Sequence, residues 1–341
     1  MITKEESTIL KGLFMLTVVV NHTISLYFNP SSDIAVIINH LCDNVGMFGF
    51  TFLSGYGIYK SSRKQMANFW EKRIVSVYIP AFIVNILVLL FSLAMGNTYS
   101  RAEINDSVFM LTRQNHINGP LWYIPFIFSW YFIFYIVEII KYKNKMVGWS
   151  LLLGITFIMW YLYPEVHPNA TWYAFAFVLG WSCAIMHERQ KLCIFQANLN
   201  NLARYILNLG ICIISFVIIC NTNEKTVMGF EVPFRVATVS QNLFTFIFVL
   251  SFARIVKLIT QKITIHKIGL WLGEVSFEIY LFHYAILVEP VKNNLIEGNA
   301  VFLIINTILL MIVAQLFKNT YSKISQYILK SARTIGNERN N

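Results

Sequence analysis

The sequence predicts an all-α, polytopic integral membrane protein with about ten transmembrane helices and both termini in the cytoplasm. Composition, apolar run length and the placement of lysine and arginine predict it. Hydrophobic residues make up 56% of the 341 residues and charged residues only 13%, where a soluble chain needs roughly 25% charge to cover its surface. An aromatic content of 16% excludes a disordered chain. The net charge of +10 does not indicate a nucleic-acid partner, because the basic residues are scattered between apolar runs. The five cysteines, Cys42, Cys183, Cys193, Cys212 and Cys220, lack CxxC spacing and read as small buried hydrophobes. No metal site is expected.

A span needs about 20 mainly apolar residues to cross the hydrocarbon core. Such runs fall at 9–28, 34–59, 74–96, 120–140, 146–163, 172–187, 204–221, 234–256, 268–288 and 300–318. The first follows a charged start but continues too long, and without a small-residue cleavage site, to be a signal peptide. The second is interrupted by His40, Asp43 and Asn44, and the sixth is short. Brief connections leave room for a single domain over 1–341, with a short basic tail at 319–341. Of the 27 lysines and arginines, 22 lie in the termini and in the loops after spans two, four, six and eight. That asymmetry puts both termini inside. The tail residues Lys318, Lys323, Lys330, Arg333 and Arg339 anchor the topology and touch anionic lipid headgroups.

Ionisable groups inside spans are expensive and mark candidate sites. Lys11 and His22 are eleven positions apart, close to three turns, so they share one face of the first helix. The helical rise puts His22 about 16 Å deeper than Lys11. His22 reads either as a helix–helix hydrogen-bond partner or as a catalyst. Asp43 in span two falls at a similar depth and could fix the imidazole tautomer, or it could be a capped, water-exposed carboxylate. The same span ends in Phe52-Leu53-Ser54-Gly55-Tyr56-Gly57, where small residues permit close backbone approach. Lys60, Arg63, Lys64, Lys72 and Arg73 follow. They serve topology, or dock a phosphorylated cofactor. Trp122 and Tyr123 open span four as an interfacial belt or as a sugar-stacking surface. Glu278 and His283 share span nine, which argues for a water-filled cavity beside it.

Several of these blocks together resemble the membrane acyltransferase 3 family. Lys11 through His22 is similar to that family's basic-x10-His signature, with Lys where Arg is usual. Phe52-Leu53-Ser54-Gly55-Tyr56 resembles its FxLSGY block. Lys72-Arg73 through Tyr78-Ile79-Pro80 resembles its RxxR…YP segment, with Ser76 in place of the second arginine. Leu121-Trp122-Tyr123 and Ser276 through His283 resemble its later WF and SxxIYLxH blocks. The resemblance implies a stand-alone enzyme, without an extracytoplasmic esterase-like domain, in a bacterial inner membrane. It implies transfer of an acyl group, usually acetyl, from cytoplasmic acetyl-CoA or another acyl-CoA to a hydroxyl of a cell-surface or lipid-linked glycan. On this reading His22 is catalytic, with Asp43, Glu278 and His283 as further candidates. Lys11, Ser54, Arg63, Lys72 and Arg73 contact the cofactor, and Trp122 and Tyr123 the acceptor.

A sugar hydroxyl is a poor nucleophile at neutral pH, so a base of about pKa 6.5 suits the reaction. His22 can take the hydroxyl proton, or carry the acyl group itself. Buried His, Asp and Glu would also suit a proton-coupled transporter or glycan flippase, although the sequence has neither an internal repeat nor paired broken helices. A non-catalytic scaffold is the third reading, in which His22→Ala is harmless. The charge asymmetry gives a direct test. A reporter fused after residue 341 should be active only in its cytoplasmic form, and an extracytoplasmic signal would overturn the topology.

Overall fold

A computed structural model of the chain describes residues 2–28, 32–62, 68–110, 115, 117–143, 145–162, 173–188, 201–223, 225–260 and 263–338. Helices dominate: α1 (Lys4–Tyr27), α2 (Asp33–Ser62), α3 (Phe69–Ala94), α4 (Arg101–Phe109), α5 (Tyr123–Lys143), α6 (Lys145–Leu162) and α7 (Ala176–Glu188). After them come α8 (Asn201–Cys220), α9 (Phe234–Ile259), α10 (Ile263–Glu274), α11 (Ser276–His283, extended by the turns to Lys292) and α12 (Ala300–Glu338). Among the described residues the only strands form a hairpin between α8 and α9, β1 (Thr226–Val227) against β2 (Phe230–Glu231). Its two turn residues, Met228 and Gly229, have φ of 52° and 82°, the left-handed pair that a two-residue hairpin turn uses.

Seven described helices are long and apolar enough to cross a membrane: Lys4–Tyr27, Asp33–Ser61, Phe69–Ala94, Gly119–Ile140, Leu202–Cys220, Phe234–Ile259 and Ala300–Lys330. The other three expected spans are shorter or interrupted. The apolar part of α6 is Met146–Tyr161, and α7 has 13 residues. The run expected at 268–288 breaks at Val275, where α10 gives way to α11 and the Ser276 hydroxyl donates to the Gly273 carbonyl at 2.8 Å. Over the expected basic tail, 319–341, α12 continues without a break as far as Glu338, 39 residues in all. That is about 58 Å of helix, roughly twice the hydrocarbon thickness.

The chain divides into two compact units. The first comprises Met1–Ser25, Asn29–Ser61 and Trp130–Ser276. Its α2 and α7 cross at two glycines. A Cβ on Gly55 would lie 2.0 Å from the Phe177 carbonyl oxygen, and one on Gly180 would lie 2.0 Å from the Phe52 carbonyl oxygen. Each glycine therefore seats the other helix's backbone, the small-residue packing that dispersion favours where no hydrophobic effect acts. Gly57, two residues on, faces open space. Of the two glycines expected to permit close approach, Gly55 does so.

The second unit comprises Leu26–Phe28, Ser62–Ser129 and Phe277–Asn341. Two π turns shape it, Ile74–Tyr78 in α3 and Tyr284–Val288 after α11. Each ends two residues before a proline, Pro80 or Pro290. Proline lacks the N–H and clashes with the carbonyl four residues back, so the helix widens there. A widened turn leaves a buried carbonyl needing a donor. The Tyr321 hydroxyl donates to the Val75 carbonyl and the Tyr27 hydroxyl to the Leu287 carbonyl, the latter at 2.8 Å. Each π turn thus has a carbonyl that accepts from a buried tyrosine hydroxyl.

The α2–α7 crossing predicts a contrast. Gly55→Ala and Gly180→Ala should each lower stability by about 1–3 kcal/mol, the cost of overpacking, while Gly57→Ala should be neutral. Thermal unfolding in detergent checks this; equal effects at Gly55 and Gly57 would contradict the crossing.

Candidate active site

The first unit holds Lys11, His22, Asp43 and Ser54. Lys11 is exposed near the start of α1 and His22 is half-buried toward its end. The α1 and α2 helices meet at Asp43. Asn21, one position before His22, donates from Nδ2 to Asp43 Oδ1 at 3.3 Å. The Tyr173 hydroxyl donates to the Asp43 backbone carbonyl at 2.9 Å, tying α2 to the segment leading into α7. Asp43 therefore stands at the level the helical rise assigns it, beside the His22 turn. Buried Thr23 hydrogen-bonds within its own helix, from Oγ1 to the Val19 carbonyl at 2.8 Å, which leaves the Asn21–His22 pair as the polar face of that turn.

Asp43 lines a cavity of about 210 Å³ together with Ser25, Asn39 and His40. His40 is fixed by structure. Its Nε2 lies 2.9 Å from the Ile219 carbonyl and 2.8 Å from the Thr222 carbonyl. Both partners only accept, so Nε2 carries the proton, and the ring caps carbonyls at the end of α8. Arg235 does the same for α6, donating to the Trp160 and Tyr161 carbonyls with its guanidinium 4.8 Å from the Tyr161 ring centre.

Ser54 is half-buried beside the α2–α7 crossing. At that end of α2 the Tyr56 hydroxyl accepts from the Ile2 N–H at 3.1 Å and lies 3.2 Å from His187 Nδ1. The Tyr59 hydroxyl donates to Glu188 Oε2 at 2.7 Å. These bonds hold the first residues of the chain and the end of α7 against the motif.

The second unit holds Lys72, Arg73, Trp122, Tyr123, Glu278 and His283; Arg63 lies outside the described residues. Lys72 and Arg73 are half-buried in the first turns of α3, with the Arg73 guanidinium 5.6 Å from the Phe69 ring centre. Trp122 is half-buried with its ring 5.7 Å from Phe126. Tyr123 is buried and packs edge-on to Tyr280 at 6.2 Å, which leaves Trp122 as the more accessible ring of the pair. Glu278 is half-buried, and its Oε2 has no hydrogen-bond partner among the described residues. His283 is 0% exposed, with Nδ1 at 2.8 Å from the Tyr280 carbonyl. That carbonyl only accepts, so Nδ1 carries the proton.

The sequence reading passed over Asn21 and Tyr173 as partners of Asp43. It also passed over a polar face on α9, Thr238, Gln241, Asn242 and Thr245, all buried. The signal was present, since i, i+3, i+4 and i+7 fall on one helical stripe. Among the described residues no group of three or more His, Cys, Asp or Glu could hold a metal ion.

The acyltransferase 3 family, described as an acyltransferase domain, matches residues 5–318. The chain belongs to that family and is a multi-pass membrane acyltransferase. No curated protein and no solved structure matches it.

The capping role of His40 is testable. His40→Ala should lower stability by about 1–2 kcal/mol, the range for a lost helix cap. An unchanged midpoint in detergent unfolding would contradict that role.

Proposed function

We propose that the protein transfers an acyl group, acetyl in the first instance, from cytoplasmic acyl-CoA to a hydroxyl of a cell-surface or lipid-linked glycan at a bacterial inner membrane. In this reading the chain crosses the membrane ten times with both termini inside, as the basic-residue asymmetry supports. The observation that carries the proposal is α1 itself. Within a family-matched segment it presents exposed Lys11 and, about 16 Å along the same face, half-buried His22 beside the Asn21–Asp43 contact. On this reading Lys11 is the cation that meets the CoA phosphates, and His22 is the imidazole that meets donor and acceptor deeper in the membrane.

The chemistry assigned to His22 follows from its two ring nitrogens. As base, the neutral ring takes the acceptor hydroxyl proton while the oxygen attacks the thioester carbonyl. The tetrahedral adduct collapses, CoA leaves as thiolate, and the imidazolium returns the proton to it. As nucleophile, the ring would take the acyl group first and pass it to the hydroxyl. Asp43 shapes the outer pocket beside this turn. Lys11, Ser54, Arg63, Lys72 and Arg73 are the proposed contacts to CoA, and Trp122 with Tyr123 the proposed acceptor-side aromatics. Because the phosphates are unchanged during transfer, their contacts act as uniform binding.

His22→Ala should therefore lose about 10²- to 10⁴-fold in turnover, and Lys11→Ala should raise KM for acetyl-CoA with little change in kcat. Purified protein in nanodiscs, assayed for CoA thiol release from acetyl-CoA with a panel of oligosaccharides, checks both. Near-normal transfer in His22→Ala alongside abolished transfer in His283→Ala would move the chemistry to α11.

A further inference from the structure

The polar face of α9 has a buried amide that the fold does not use. Gln241 is 2% exposed, and neither its Oε1 nor its Nε2 has a hydrogen-bond partner among the described residues. The same holds for Oδ1 of Asn242 and Oγ1 of Thr245, themselves 2% and 1% exposed. The next polar residue along the stripe behaves differently. Thr238 Oγ1 donates to the Arg235 carbonyl at 3.0 Å, and accepts from Trp160 Nε1 at 2.9 Å. Asn242 Nδ2 donates to the Thr238 carbonyl at 2.7 Å. The stripe is thus anchored at one end and open at Gln241 and Thr245. Leaving buried donors and acceptors unpaired is destabilising, and a chain that keeps three such residues on one face needs a reason to do so.

Register shows what that face meets. The α1 and α9 helices pair antiparallel within the first unit. Lys257 Nζ lies 3.1 Å from Glu6 Oε1 at one end, and further along the Phe14 and Phe252 rings lie 6.3 Å apart. Measured from that ring pair toward the other end, His22 lies about 12 Å along α1. Along α9, Thr245 lies about 10 Å and Gln241 about 16 Å from it. Thr245 and Gln241 precede Phe252 by seven and eleven residues, so each points within about 20° of the ring that faces α1. His22 is eight residues past Phe14, about 80° around α1. The open amide and hydroxyl therefore bracket the level of His22 on the facing helix.

We propose that Gln241, with Thr245 beside it, is the hydrogen-bond donor wall for the acyl carbonyl during transfer. When the acceptor oxygen attacks the thioester carbon, negative charge develops on the carbonyl oxygen, and Gln241 Nε2–H donates to it. The His22 ring holds the hydroxyl proton and gives it to the departing CoA thiolate, so that ester and CoA thiol are the only products. A fixed donor in a water-poor site stabilises that charge without reorganising, and removing one typically costs about 10²–10³ in turnover. The inference rests on the acyl-transfer reading with His22 as its centre.

The test replaces the amide by an apolar side chain of similar length. Gln241→Met should lose about 10²- to 10³-fold in kcat for acetyl transfer, with KM for acetyl-CoA unchanged. Its thermal midpoint should be unchanged or raised, because no protein bond is lost. Thr245→Val should show the same pattern with a smaller loss. Wild type, His22→Ala and the α9 variants are measured together in nanodiscs with acetyl-CoA and the oligosaccharide panel. An active wild type with an equally active Gln241→Met overturns this assignment and leaves the proposed function standing. A Gln241→Met protein that unfolds, or whose midpoint falls along with its activity, makes the stripe structural and also overturns it. A wild type that transfers nothing, over acetyl and succinyl donors alike, overturns the proposed function and this inference with it.

Discussion

The antiparallel contact between α1 and α9 sets the level of the Asn21–His22 turn against the polar stripe of α9. It is held by an ion pair near one end, Glu6 with Lys257, and by the Phe14–Phe252 ring contact further in. Rings packed across two helices fix register more firmly than a surface ion pair, whose two long side chains are costly to order. With that register set, the rise of each helix decides which side chains can meet. His22, Asn21 and Asp43 come to one level from α1 and α2, while Gln241 and Thr245 come to it from α9. Shifting α1 by one turn would move His22 by about 5 Å and dissolve the arrangement.

The rest of the fold reads as an accounting of backbone carbonyls in a medium that offers them no water. Four recurrent solutions appear in the two units. Tyrosine hydroxyls donate to a carbonyl of each π turn, each turn just before a proline. His40 and Arg235 cap the ends of α8 and α6. Threonine and asparagine side chains return to their own helices, as Thr23 and Asn242 do. Glycines let two helix backbones touch directly, at Gly55 and Gly180. Several buried side chains keep one polar atom without a partner among the described residues, and Gln241 keeps both atoms of its amide so.

Much of this was legible in the residues. Composition and apolar runs give an all-helical membrane protein, and seven long apolar helices are present where runs were read. The eleven-residue spacing of Lys11 and His22 follows from helical period alone, and the close approach at Gly55 follows from its size. Other features depend on tertiary context. The break at Val275 lies inside an apolar run because Ser276 and Gly273 bond locally, which hydropathy does not register. The extension of α12 through Glu338 carries too many polar residues to read as a span. The roles of His40 and Arg235 depend on carbonyls some 180 and 75 residues away in sequence, beyond any local pattern. The α9 stripe was readable by period, but its missing partners emerge only from packing.

The most direct measurement is cysteine cross-linking across the α1–α9 seam in a background without native cysteines. Position 22 is paired in turn with positions 241, 245 and 252, using a short bifunctional thiol reagent. The account predicts efficient cross-links from 22 to 241 and 245, little or none to 252, and slower cross-linking when acetyl-CoA is present at saturation. Preferred cross-linking to 252, or rates at 241 and 245 that acetyl-CoA leaves unchanged, would contradict the placement of the acyl group between His22 and Gln241.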